Sequence, residues 1–136
     1  MISLILMIVA GAFNAVMDKI AFTFSSSIFR NLNPMFWDLS VSWKNQWKWP
    51  LEPFKGWWYF GLYKPPYQEH FPYSTTMLVM FTDAWHLAKF LMLCCMMLAV
   101  VFYAPMFNWF VDFVLMYCGF TVTFTYVYTY LLTAKD

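Results

Sequence analysis

Two small sets of polar side chains stand at helical spacing inside otherwise apolar runs of the chain. Asn14 and Asp18 are four residues apart, while Asp83 and His86 are three apart and Lys89 follows three residues later. Residues three or four apart share one face of an α-helix, so each set predicts a polar patch on a helix face. Because ionisable side chains in apolar segments are costly and usually paired, these five residues are the first candidate for a functional site.

Three kinds of chemistry fit this polar cluster, and the sequence leaves all three open. In the first, Asp18 or Asp83 pairs with Lys89 or His86 and holds two helices together. In the second, Asp18, Asp83 and His86 bind a divalent metal as a cofactor, since carboxylate and imidazole ligands suit zinc, manganese or iron. In the third, His86 transfers protons and is tuned by an adjacent carboxylate. The chain has only two histidines, which favours the first interpretation.

Three apolar runs must carry these residues, at about residues 2–22, 74–104 and 106–133. Each run reaches the length of about 20 residues that a bilayer-spanning helix needs. The composition agrees, because 62% of the residues are hydrophobic and only 11% are charged, against roughly 25% charged in soluble domains. The prediction is an all-α integral membrane protein, with three transmembrane helices in a single membrane domain over residues 1–136.

The first run could also be read as a cleaved signal peptide. Such a peptide begins with a basic segment, and no lysine or arginine precedes Lys19 in this chain. We therefore predict that the first helix is retained.

Prolines and hydroxyl residues predict where the second and third helices begin and end. Ser74 is the expected N-cap of the second helix. Pro105 separates the second helix from the third, so the two are expected to form a tight antiparallel hairpin. Residues 121–130 have β propensity, but a lone strand in a bilayer would leave its backbone unpaired. A helix is predicted there, with Thr121, Thr125 and Thr129 on one face.

Asp112 and the three cysteines receive simple interpretations. Asp112 lies near the start of the third helix, where the helix dipole favours a negative charge. It is expected to be exposed at the membrane interface or, as the alternative, to face a partner subunit. Cys94, Cys95 and Cys118 lie inside apolar runs without metal-ligand spacing, so they are expected to be small hydrophobic residues.

The segment between the first and second helices, at about residues 23–72, is rich in proline and tryptophan. Frequent prolines prevent long regular structure, whereas the aromatic content argues against disorder. The segment is therefore expected to lie along the membrane, with its tryptophan rings at headgroup level. A short interfacial helix is predicted at about residues 42–49. The loop residues singled out are Trp43, Lys44, Asn45 and Trp47.

The basic residues predict an orientation. In a three-helix arrangement all eight fall on one side of the membrane: Lys19, Arg30, Lys44, Lys48, Lys55, Lys64, Lys89 and Lys135. The positive-inside rule then places the long loop and the C-terminus in the cytoplasm and the N-terminus outside.

Five short segments between about residues 10 and 90 carry a family resemblance: 13–18 (FNAVMD), 27–29 (SIF), 36–38 (FWD), 41–45 (VSWKN) and 82–87 (TDAWHL). They resemble small integral membrane proteins of Bacteroidetes-type bacteria and their phages. The resemblance implies a bacterial envelope setting, most simply the inner membrane, and no particular catalytic activity. It also implies that Trp43, Lys44 and Asn45 fold back over the polar cluster.

The pattern of residues favours a structural or binding function over catalysis. The chain contains no Gly-rich phosphate loop, nucleophile elbow, zinc motif or haem-attachment motif. Its net charge of +1 gives no support for nucleic-acid binding. We predict a module that contacts membrane lipid and acts as a homo-oligomer or as an accessory subunit of a membrane complex. The alternatives are a membrane-embedded metal- or lipid-headgroup-binding enzyme using Asp18, Asp83 and His86, and an oligomeric proton or ion pathway or phage lysis pore.

Overall fold

The computed structural model describes residues 1–48, 58–59, 62–63 and 69–135, with the two internal pairs described by their backbone only. Within these residues the helices in chain order are α1 (Ile2–Phe22), α2 (Pro34–Trp37), α3 (Leu39–Ser42), α4 (Ala84–Val101) and α5 (Trp109–Tyr126). A π-helical turn, Val127–Leu131, continues α5. Three of the helices are long and apolar enough to cross a membrane, so the predicted all-α membrane fold with three spanning helices is confirmed.

In the described part of the connecting segments the elements are short. It contains four 3₁₀ turns, at Phe24–Ser26, Ile28–Asn31, Trp43–Gln46 and Val79–Phe81. Strand β1 (Trp58–Tyr59) pairs antiparallel with β2 (Leu62–Tyr63), in the register Trp58 with Tyr63 and Tyr59 with Leu62. The interfacial helix predicted at about residues 42–49 is present only as the turn Trp43–Gln46. The predicted loop residues 49–57, 60–61 and 64–68, which include Lys55 and Lys64, lie outside the described residues.

Helix α1 has the bounds that the sequence predicts. Its residues are mostly leucine, isoleucine, methionine and alanine, and it contains no proline. It ends where the backbone N–H of Thr23 donates to the carbonyl oxygen of Lys19 at 3.2 Å. The prediction of a helix over residues 2–22 is confirmed.

The second spanning helix begins ten residues later than predicted, at Ala84 rather than at about residue 74. Tyr73 has a φ of 65°, a left-handed conformation that a continuous α-helix does not allow. The Ser74 hydroxyl donates to the carbonyl oxygen of Gln46 at 2.7 Å instead of capping a helix. Asp83 is the actual N-cap. Hydropathy predicted the wrong start because residues 75–81 are apolar enough to resemble helix while they fold as turns.

The third spanning helix begins at Trp109 rather than at about residue 106. Asn108 is its N-cap and accepts from the backbone N–H of Val111 at 3.0 Å. Residues 106 and 107 stay outside the helix because their N–H groups donate to the Asp112 carboxylate. The helix extends through the threonine-rich stretch to Leu131, so helix rather than strand is confirmed there.

The predicted hairpin of the second and third helices is wrong. Helix α1 packs along both α4 and α5, whereas α4 and α5 hardly contact each other within the described residues. The connection over residues 102–108 passes the start of α1, where the Ser3 hydroxyl donates to the Phe102 carbonyl oxygen at 3.0 Å. Gly11 lets the α5 backbone approach at Phe120. Small side chains on two faces of α1 allow it to be the central helix.

The other end of the helices holds the end of α1, the start of α4 and the end of α5, and is called the loop end below. Its buried cluster consists of Ala15, Ile20, Phe29, Ala84 and Leu132. The C-terminal segment is tied there by two backbone bonds, Ile28 N–H to Leu132 O at 3.0 Å and Ala134 N–H to Ser26 O at 2.9 Å. This end therefore places the predicted polar residues beside the long loop.

Candidate functional site

Asp83 is the anchor of the loop end. Only 1% of the residue is exposed. One carboxylate oxygen accepts from the backbone N–H of His86 at 2.9 Å, which is the N-cap bond that starts α4. The other oxygen lies 2.7 Å from Nδ1 of His86 and accepts from the Thr82 hydroxyl at 3.1 Å. Burial alone raises the pKa of Asp83, but the hydrogen bonds from His86 and Thr82 outweigh it, so the pKa lies below its ordinary value.

The carboxylate of Asp83 orients the imidazole of His86. With Nδ1 bonded to a carboxylate, the ring is fixed in one orientation and its Nε2 atom is the nitrogen left for other partners. The His86 side chain is 26% exposed and meets the Trp85 ring edge-on, with the ring centroids 4.9 Å apart. Such an arrangement can accept or hold a proton.

The described part of the long loop folds over the start of α4. The Asn45 amide donates to the carbonyl oxygen of Thr82 at 2.9 Å and also to that of Met35. The His70 ring lies 3.1 Å from the Asn45 carbonyl oxygen through Nδ1. Asn45 therefore connects α2, the segment around His70 and the residue before Asp83.

The other predicted loop residues make contacts within the loop segment. The indole N–H of Trp43 donates to the Ser40 carbonyl oxygen at 3.1 Å, and the Lys44 ammonium lies 6.0 Å from the Trp43 ring centroid. Trp47 forms an isolated antiparallel bridge with Glu69. The Glu69 carboxylate accepts from Thr75 and from the backbone N–H of Tyr73.

The structure does not bring Asn14 and Asp18 together with Asp83 and His86. No hydrogen bond or ion pair joins the two sets within the described part of the chain. His86 is two residues from Ala84, and thus about 200° around α4, while Ala84 packs in the cluster with Ala15 of α1. His86 therefore lies on the side of α4 away from α1.

The predicted metal site is consequently not formed. In the residues that the structure describes, no three His, Cys, Asp or Glu side chains come close enough to hold a metal ion. Of the predicted ion pairs, Asp83 with His86 is formed at 2.7 Å, but it lies at the start of α4 and does not connect α4 to α1. Lys89 is exposed and contacts the Trp85 ring, with its ammonium 4.9 Å from the ring centroid.

The buried contacts of two ionisable residues, Lys19 and Asp112, were not predicted from the sequence. Lys19 is only 4% exposed; its ammonium donates to the Thr133 hydroxyl at 2.8 Å and lies 4.7 Å from the Tyr128 ring centroid. It links the end of α1 to the end of α5. Asp112 is fully buried rather than exposed, because the α4–α5 connection wraps around its carboxylate. Spacing along the sequence carries no signal for either contact.

Replacing Asp83 by asparagine is expected to lower stability by about 1 kcal/mol at neutral pH, the usual difference between charge-assisted and neutral hydrogen bonds. Asparagine still caps the helix. Because the pKa of Asp83 is lower in the folded chain than in the unfolded chain, its carboxylate stabilises the fold above about pH 4 and this contribution is lost as the pH falls through the folded pKa. Unfolding titrations in detergent at pH 6 and pH 3 should therefore show the gap between wild type and variant narrowing.

The matched control is Asp38→Asn. Asp38 also caps a helix, accepting from the Ser40 N–H at 2.9 Å, but at an exposed site. Its replacement should change stability by less than about 0.5 kcal/mol. An Asp83→Asn variant that loses stability with falling pH as steeply as wild type would show that Asp83 is not the titrating group.

Comparison with known proteins returns no match among protein-family models, curated proteins or solved structures.

Proposed function

We propose that this chain is a structural or binding module of a membrane, acting as a homo-oligomer or as an accessory subunit of a membrane complex. The observation that carries the proposal is the exposure of α5. Only 6% of the most apolar stretch of this helix is buried within the chain, whereas 33% of the corresponding stretch of α1 is buried. Among the described helices, α5 packs mainly against α1, so most of its surface is left for lipid or for another helix.

The hydroxyl face of α5 supports a helix partner over lipid alone. Thr121, Thr125 and Thr129 are all exposed at four-residue spacing, and the Thr125 hydroxyl bonds within the helix to the Thr121 carbonyl oxygen at 3.0 Å. Such hydroxyls retain acceptor capacity. Threonine hydroxyls across a membrane interface stabilise helix association by about 0.6 kcal/mol each.

The triple substitution Thr121→Val, Thr125→Val and Thr129→Val is therefore expected to weaken association roughly tenfold or more, since three such contributions approach 2 kcal/mol. Native mass spectrometry of the chain in mild detergent measures the oligomer and any co-purifying subunit together. Thr76→Val, at an exposed position outside the spanning helices, is the control and should leave association unchanged. A wild-type chain that is a uniform monomer without a partner would overturn the proposal.

The proposal includes an orientation in a bacterial inner membrane, with the N-terminus outside and the long loop and C-terminus in the cytoplasm. It is supported by the described basic residues, all of which lie at the loop end or within two turns of it: Lys19, Arg30, Lys44, Lys48, Lys89 and Lys135. A reporter that is active only in the cytoplasm should therefore be active when it is fused to the C-terminus.

A further inference from the structure

Helix α1 packs against both α4 and α5, and the sector of its surface between these two contact faces is called the groove below. Leu4, Ile8 and Gly11 mark the face of α1 that meets α5, and Ser3 marks the face that meets the end of α4. Ala10 and Met17, seven and fourteen residues after Ser3, are buried on that second face. The two faces are about 130° apart at 100° per residue. Since α4 and α5 hardly contact each other within the described residues, no contact between these two helices covers this sector.

Asn14 and Asp18 lie on the floor of this groove. Around the axis of α1, Asn14 is about 40° and Asp18 about 80° from the face that meets α4, both in the direction of the face that meets α5. Both are partly buried. Within the described residues Asp18 has no hydrogen-bond or ion-pair partner. The ammonium of its neighbour Lys19 donates to the Thr133 hydroxyl instead. A carboxylate in a spanning helix without a partner is costly, and this cost indicates a ligand or partner.

Lys89 lies at nearly the same depth as Asp18. The contact between Ser3 and Phe102 sets the alignment of α1 with the antiparallel α4, and this alignment places Asp18 level with Leu87. Lys89 is two residues after Leu87, which is about 3 Å along the helix axis. Asp18 is four residues from the end of α1, which is about 6 Å. Both charges are therefore near the level of lipid headgroups.

Lys89 on α4 also faces the same side of the bundle as Asp18 on α1. On α4, Trp85 and Lys89 each follow a buried alanine, Ala84 and Ala88. Because α4 runs antiparallel to α1, the positions after these alanines turn toward the side of α1 that carries Asp18. The ammonium of Lys89 rests on the Trp85 ring and forms no ion pair with Asp18 in the described residues.

We propose that this groove binds the zwitterionic headgroup of an aminophospholipid of the phosphatidylethanolamine type. The Asp18 carboxylate accepts hydrogen bonds from the primary ammonium, and the Lys89 ammonium contacts the phosphate. The Asn14 amide lies one turn deeper on the same face, within the groove. One negative and one positive side chain match a headgroup that carries one charge of each sign. Binding satisfies both charges without bringing a second protein chain into the groove.

Native mass spectrometry of the full chain in mild detergent, titrated separately with phosphatidylethanolamine and phosphatidylcholine, tests the proposal. Wild type should retain more phosphatidylethanolamine, because a quaternary ammonium cannot donate hydrogen bonds to Asp18. Asp18→Asn should lose this preference, while Asp18→Glu keeps it. Lys89→Gln should weaken both lipids alike, since they share the phosphate. Lys135→Gln, at an exposed lysine near the C-terminus, is the control and should change neither.

Equal retention of the two lipids by wild type would overturn the proposal, as would an Asp18→Asn variant that keeps the preference. A loss of oligomer in Asp18→Asn without any change in lipid binding would assign Asp18 to a contact with a second chain instead. The threonine-to-valine variant of α5 separates this site from the proposed function, because it should change association and leave the lipid preference intact.

Discussion

Replacing Gly11 by alanine is expected to destabilise the protein by about 1–3 kcal/mol, the usual cost of overpacking a close contact. A Cβ atom at Gly11 would overlap the Phe120 carbonyl oxygen and would lie 3.1 Å from the Phe120 Cα atom. These are backbone atoms, so the clash can be relieved only by moving α5 away from α1. The gain of about 1 kcal/mol in helix propensity on replacing glycine by alanine does not offset this movement.

Gly119→Ala is the matched control, with the same chemical change on the facing helix. A Cβ atom there would lie 3.2 Å from side-chain atoms of Leu4 and Ile8, which can rotate. Gly119→Ala should therefore change stability little or raise it by up to about 1 kcal/mol. Detergent unfolding followed by circular dichroism measures both variants. Equal losses for the two would contradict the close backbone approach at Gly11.

Replacing Asp112 by alanine is expected to cost clearly more stability than losing a helix cap. Its carboxylate accepts from the Tyr103 hydroxyl at 3.0 Å and from the N–H groups of Met106 at 3.0 Å and Phe107 at 3.2 Å. Alanine leaves these donors without an acceptor at a fully buried site, which is costly in a bilayer. The α4–α5 connection should also become accessible to protease from the side of the membrane opposite the loop end.

Asn108→Ala is the control for Asp112. It removes the N-cap bond to Val111 from the same turn of α5 and should cost about 1 kcal/mol. Detergent unfolding and limited proteolysis of both variants in proteoliposomes provide the comparison. If Asp112→Ala lost no more stability than Asn108→Ala and left the connection resistant to protease, the carboxylate would be acting only as a helix cap.

Several features were predictable from local sequence alone. The helix over residues 2–22 and the helical state of the threonine stretch follow from length, apolar composition and the need to satisfy backbone groups in a bilayer. In contrast, the start of α4 depends on tertiary bonds such as that from Ser74 to Gln46, so hydropathy placed it ten residues early.

Residue types and spacing by themselves determined that this chain has three spanning helices and that polar residues gather at one end of them. Tertiary structure alone decided how those residues are divided, with Asp83 buried at the start of α4, His86 on the side of α4 away from α1, and Asn14 and Asp18 on α1 between the faces that meet α4 and α5. The physical reason is that helical spacing fixes only which residues share a face. The direction of that face depends on which helix is central, and close approach at Gly11, together with the Ser3 contact, gives that position to α1.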